Sequence, residues 1–523
     1  MATIVESKDI KEQMLLACEK ILGVMEPMFG PTYKNTLLDM SFVGGTGLVT
    51  NDGYMVISRM TSSDDIQKMV MKLFLEIADK TKKESGDGAV MAILIAASLL
   101  KEGYKQLGCG VNPIQFRKGM RLACDQICAD LLNRAIPLES KSMVEKLASH
   151  AVKEEEIGAM IAHAYEEVTK DGFVTLEETK ARETYLEIIP GMRLLSGYLS
   201  KYMSNKKEEK KVFYEQAMVL VTDMIIDRVE LILPILNKTA MEKRPLFMVV
   251  GGLTGDALST IMLNTAQGKF QVAAAKAPGV GSFQRDCLED LAIMTGARFV
   301  DVARHFGIKE ITPEMLGLAE TVLVDEKQTI LTTSIHSESE KKRQEEILKN
   351  AEESKNKMDK ERFRERYSKM TKGVAIIKIG AQSDLELAEK KMRIEHALHA
   401  VRSGYSQGVV IGGGAAFLQA VKGITFDQNV DEDVLAGINA IRKAVKYPFY
   451  TIIKNTGSNP AIVEEEWNQL PETYGFDAID KNCKDLMLHE IVDPVSICIT
   501  ALKNAESMVG EMLTMEMGVF TKA

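Results

Sequence analysis

Two aspartates of this chain sit inside glycine turns, Asp52 in Asn51-Asp52-Gly53 and Asp87 in Gly86-Asp87-Gly88. A third, Asp493, precedes Pro494, and a Gly30-Pro31 pair and a Gly412-Gly413-Gly414 triplet complete the set. Carboxylates suit a magnesium ion, which takes one or two of them and fills its shell with phosphate oxygens. Glycine turns that open helices present free N–H groups, which attract anions. Taken singly each turn is a weak signal, because most such turns only redirect the backbone. Their order along the chain carries more.

The elements that must position these residues follow from periodicity. Apolar residues at helical spacing run from Gln13 to Met28 and stop at Gly30-Pro31. Asn35 to Asp39 and Tyr54 to Ile57 read as strands separated by a glycine-rich loop and the Asn51-Asp52-Gly53 turn. A helix is predicted over Met69 to Lys82, and a buried central helix just after Asp87, where the sequence turns apolar on nearly every face. Another helix covers Arg117 to Leu132, and Pro137 marks a boundary. A smaller segment holds a helix at Glu155 to Val168 and strands at Phe173 to Glu177 and Tyr185 to Ile189, closed by Pro190-Gly191. Strands Leu246 to Val250 and Val272 to Ala275 then alternate with helices as an independent α/β unit. Ser337 to Met370 is dense in charge and reads as solvated helices held by one narrow stripe. The strand Val374 to Gly380, a long amphipathic helix from Asp384 to Gly404, and final helices opened by Asp493-Pro494 complete the chain.

A length of 523 residues implies roughly three domains. Hydrophobic residues at 46% and charged residues at 27% describe an ordinary globular protein. The net charge of -9 argues against nucleic acid as the main partner. Seven scattered cysteines fit a reducing cytosol better than a disulfide framework, and Cys124 and Cys128 read as buried hydrophobes rather than half a zinc site. No secretory signal and no membrane-spanning stretch is read, so a cytoplasmic location is expected.

The ordered glycine and acid motifs, with Glu395-His396 between them, resemble the group I chaperonins (the GroEL class), of which this chain looks like a divergent paralogue. The segments Gly197 to Tyr202, Lys276 to Ala292 and Glu389 to Arg402 carry the same resemblance. It implies a multidomain, mainly α fold with an α/β part: an equatorial domain from 1–133 and 407–523, an intermediate hinge from 134–190 and 375–406, and an apical client-binding domain at 191–374. ATP is then expected in the equatorial domain, with Met28, Phe29, Gly30, Pro31, Gly86, Asp87, Gly88, Ala89, Val90 and Met91 around the phosphates. The resemblance places Mg2+ on Asp87 and Asp52 near the terminal phosphate and its water. It sets Gly413, Gly414, Asp477, Ala478 and Asp493 around the nucleoside.

Several positions depart from the family pattern. His396 stands where the family carries an aspartate that orients the attacking water, and loss of a positioned base commonly costs about 10²–10⁴-fold in rate. His396 and His399 are equally readable as polar positions on a partly exposed helix. The family's lysine before Asp52 is Asn51, and a run of hydroxyl residues is Ala89, Val90 and Met91, which implies fewer phosphate contacts. An arginine and a glutamate that pair between rings correspond to Tyr450 and Asn459, and an apical arginine to Ser196, leaving Asp384 without its partner.

Glu230 to Thr239 carries more apolar surface than one buried face needs. The family match makes a groove for non-native polypeptides from Tyr198, Tyr202, Met203, Leu233, Leu236, Leu258, Met262 and Leu263, for which a co-chaperonin would compete. Plain core packing is the competing reading of those side chains. Two functions remain open: an ATP-dependent folding and refolding chaperone, active in stress response in rings of itself or a paralogue, or a hydrolysis-impaired client-binding or assembly module.

Overall fold

A computed structural model of the chain describes residues 2–39, 47–168, 173–179, 181–189, 191–206, 210–301, 311–333, 338–354, 356, 359, 362–363, 366–367, 370, 374–423, 430–515 and 517–521. The glycines at 44 and 45 of the predicted loop and the expected turn residue Pro190 lie outside these residues. The chain divides into two compact units, one from Met1–Ala162 with Ala381–Ala523 and one from His163–Gly380. No helix of the described residues is long and apolar enough to cross a membrane.

The first unit is helical around the predicted central helix, which runs Ala89–Gly108 and buries every residue from Met91 to Leu100. Helices Ser7–Met25, Asp65–Ser85, Pro113–Arg134, Glu432–Ala444 and Val495–Met512 supply much of the rest of that core. Pro113–Arg134 and Glu432–Ala444 touch through glycines: a Cβ on Gly119 would collide with the Val434 carbonyl, and one on Gly437 with the Phe116 carbonyl. Both ends of the chain build this unit, since strand Ala2–Glu6 pairs antiparallel with Met517–Thr521 and Val409–Ile411 with Val492–Pro494.

One predicted strand is a helix. Tyr54 to Ile57 looks extended because Val56 and Ile57 are β-branched, yet Gly53–Arg59 is helical. Asp52 starts it as N-cap, its Oδ1 accepting the Met55 N–H at 2.8 Å. The hairpin partner of Thr36–Asp39 is instead Gly47–Thr50.

The second unit holds a six-stranded mixed sheet in the order Val272–Lys276, Leu246–Val250, Val212–Val221, Gly317–Val324, Thr329–Thr332, Gly191–Leu194. The first three strands run parallel to one another, and the remaining pairings, from Val212–Val221 with Gly317–Val324 onward, are antiparallel. Leu246–Val250 is buried on both faces and therefore reads as a continuous apolar run, LFMVV. A smaller sheet centres Val374–Ile379 between Phe173–Glu178 and Tyr185–Ile189. The charged stretch after 337 is fastened by more than its stripe. Ile347 and Met370 enter the core, and the buried Asp290 accepts from Arg366 Nε at 2.7 Å and Nη2 at 2.9 Å and from Arg343 Nε at 2.9 Å.

Candidate nucleotide site

A cavity of about 540 Å³ opens within the first unit, in the size range of small-molecule sites. Its lining includes every residue that the resemblance assigned to nucleotide, from Met28 to Pro31, Gly86 to Met91, Gly413, Gly414, Asp477, Ala478 and Asp493. Asp52 and His396 line it as well.

Local backbone chemistry explains how this came about. The first helix ends in a short 3-10 turn at Glu26–Met28, and Gly30 then adopts φ +88°, a left-handed value suited to glycine. Gly86 closes helix Asp65–Ser85 at φ +77°, and a side chain there would also strike the ring of His399. The turn thus needs glycine twice over, and His399 supports its far side. Gly88, at φ +91°, opens the central helix with no side-chain cap, so the first N–H groups of that helix are available to an anion. Ser85 Oγ donates to the Asp87 carbonyl at 2.8 Å, which fixes the intervening loop.

Asp52 has a buried carboxylate that does two jobs. Oδ1 caps helix Gly53–Arg59, while Oδ2 lies 3.3 Å from Lys82 Nζ and 3.6 Å from His396 Nε2. The histidine distance is too long for a hydrogen bond, and among the described residues Nε2 of His396 has no hydrogen-bond partner although it is buried. A polar atom left this way in a cavity wall points to a bound molecule or water.

The carboxylates expected near a nucleoside, Asp493 and Asp477, are also electrostatically shaped. Desolvation, with the Asp87 carboxylate adding to it, pushes Asp493 up to about 6, against the N–H groups of Gly413 and Gly414, which hold it down. Asp477 moves the other way. Desolvation raises it, but the Lys484 ammonium and the N–H groups of Ile479 and Asp480 outweigh that and leave it below the usual carboxylate range. Lys153, in the left-handed conformation at φ 65° after helix Lys141–Val152, lines the cavity too. Desolvation and the neighbouring Arg393 guanidinium lower its ammonium to about 7.

These residues fit a magnesium nucleotide: an uncapped helix start suits phosphates, Asp87 suits the ion, and the Asp477 and Asp493 carboxylates are acceptors suited to ribose hydroxyls. Sequence reading missed Lys82 and Lys153. Nothing local marks either one, because Lys82 is brought to Asp52 across 30 residues by helix packing.

In the second unit the expected client residues divide. Met203 at 1% and Leu236 at 5% exposure belong to the core, so their apolar surface is spent on packing. Leu233, Leu263 and Tyr202 are exposed at 47%, 60% and 66%, and Tyr198, Leu258 and Met262 are half-buried. Tyr450 and Asn459, at the expected inter-ring positions, have partners within the chain. The Tyr450 hydroxyl donates to Glu464 at 2.6 Å, and Asn459 caps helix Pro460–Asn468. Ser196 offers its carbonyl to Thr329 Oγ1 at 2.7 Å, and Asp384 opens helix Asp384–Gln407.

Comparison with known proteins gives the fold a context. The architecture is similar to that of the chaperonin gp146 from the bacteriophage EL 2 (Pseudomonas aeruginosa), crystallised in presence of ATP-BeFx. One crystal form superposes with a TM-score of 0.72 at 19% identity, covering 99% of each chain. A second form gives 0.65 at 18% identity, again over 99% of each chain. Residues 22–522 match the TCP-1/cpn60 chaperonin family, and over that span, nearly the whole sequence, the chain belongs to this family.

Proposed function

We propose that this chaperonin subunit binds ATP with magnesium in the cavity of its first unit and uses it to capture and release non-native polypeptides within a ring. The carrying observation is that residues from both chain ends, Gly30, Asp52 and Asp87 with Gly413 and Asp493, line one cavity beside an uncapped helix start. Magnesium, when bound, neutralises phosphate charge and polarises the terminal phosphoryl group. Asp87 is the carboxylate placed to hold it. The first N–H groups of helix Ala89–Gly108 bind phosphate oxygens, and Asp493 accepts from ribose hydroxyls. Leu233, Leu263 and Tyr202 offer apolar surface to clients, with a co-chaperonin competing for it. Seven free cysteines agree with action in a reducing cytoplasm.

His396 favours a second reading, in which ATP is held but turned over slowly. Its Nε2 faces the Asp52 carboxylate at 3.6 Å and can hold a water, but an imidazole replaces the negative charge that a carboxylate would set against the attacking water. Steady-state ATPase measurement decides between the readings. Slow turnover in the unmodified protein, rising about 10²-fold or more in His396→Asp, is the outcome expected of the second. Fast turnover in the unmodified protein would leave only the first.

A further inference from the structure

Four carboxylates, from Asp52, Asp87, Asp477 and Asp493, line the cavity, so a polyanionic ligand needs positive charge there to offset them. Three long cationic side chains share the lining: Lys82, Lys153 and Arg393. Arg393 pairs through its Nη atoms with carboxylates outside the cavity lining, Glu389 within its own helix and Glu154 at 3.8 Å, and its buried Nε has no hydrogen-bond partner among the described residues. Lys153 lies against the Tyr33 ring. Lys82 is differently placed. It projects from the last turn of helix Asp65–Ser85, four residues before Gly86, and is thereby tied to the Gly86-Asp87-Gly88 turn that opens the anion-facing helix. Its ammonium carries three donors, and among the described residues it has a single hydrogen-bond partner, Asp52 Oδ2 at 3.3 Å. Two donors remain for a ligand. The side chain is 35% exposed, and its head lies 4.8 Å from the centre of the Tyr54 ring, which restricts its sweep.

We propose that Lys82 is the phosphate-binding cation of this cavity, bridging the Asp52 carboxylate and the terminal phosphates of a bound nucleoside triphosphate. The inference rests on the nucleotide reading above and adds to it the residue that discriminates tri- from monophosphate. A lysine suits this role as a compact charge with donors in several directions, and charge-assisted bonds to phosphate are the stronger kind. A cation at position 51 would also face this cavity, since Asn51, next to Asp52 in sequence, lines it.

Competition binding against a methylanthraniloyl-ATP probe, in magnesium buffer and without reference to turnover, tests it. The unmodified protein should bind ATP more tightly than AMP. Lys82→Met should weaken ATP binding about tenfold or more, the loss of one such contact, and leave AMP within about twofold, which also shows that the cavity is intact. Lys82→Arg should keep most of the ATP affinity. Adding Asn51→Lys to Lys82→Met should restore much of it by returning a cation to the cavity lining beside Asp52. If the unmodified protein binds neither nucleotide, the nucleotide reading itself falls. If it binds ATP and Lys82→Met leaves that unchanged, or weakens ATP and AMP equally, Lys82 has no phosphate role and only this inference falls.

Discussion

Lys153 illustrates a residue carrying two costs at once. Its backbone is left-handed without being glycine, and its ammonium sits where desolvation and Arg393 disfavour the charge. Such costs collect at functional positions. A lysine lowered to about 7 is largely a neutral amine at pH 8, whereas an ordinary lysine remains protonated until pH approaches 10.5. Acetic anhydride labelling read by mass spectrometry should therefore modify Lys153 ahead of surface lysines. Its rate should level off above about pH 8 rather than climb toward pH 10. Added ATP should protect it. Labelling that tracks the surface lysines at every pH would remove the perturbed amine from the account. At this scale the glycine turns were legible as turns, because a turn states its geometry locally, but which of them line one cavity followed from their order along the chain and the resemblance it carries. Lys82, Lys153 and the support that His399 gives to Gly86 were not legible, since each works through a contact between distant parts of the chain.

Helices were easier to read than strands in this chain. The central helix announces itself by apolar residues on all faces directly after a glycine turn, and it begins at Ala89 as that pattern requires. The segment after Asp52 misleads because β-branched residues favour strands only weakly, while a capped start commits the backbone to a helix. The charged stretch after 337 misled differently, since a solvated face was legible but its anchor was not. Asp290 is fully buried and holds both Arg343 and Arg366, so helix Glu338–Glu353 is pinned to helix Gly281–Thr295. Asp290→Ala leaves two guanidinium groups short of a partner and should cost about 3–5 kcal/mol. Hydrogen exchange should then show helix Glu338–Glu353 losing protection while helix Ala89–Gly108 in the other unit keeps it. Equal loss in both, or none, would count against the anchor.

At the scale of the molecule, the positions expected to join two rings are taken up within the subunit. Tyr450 donates to Glu464 and Asn459 caps a helix, and neither supplies a charge for pairing with a second ring. Mass photometry of the purified protein should therefore show single rings or smaller species. A stable double ring without added partners would show that other surfaces carry that contact. The division into units was legible only in part. The return of the chain to the first unit was expected from the order of motifs, whereas the boundary at 162 falls inside helix Glu155–Val168 and the one at 380 directly after strand Val374–Ile379.

Strand Ala2–Glu6 cannot find its partner until Met517–Thr521 has been made, and the cavity lacks its Gly413 and Asp493 side until then or shortly before. On the ribosome the contiguous unit His163–Gly380 is complete much earlier and is able to fold as the nascent chain emerges. The helical unit completes its core only once helix Val495–Met512 has also been made. The chain therefore passes its most aggregation-exposed interval between completion of the His163–Gly380 unit and synthesis of the helices that close the other unit.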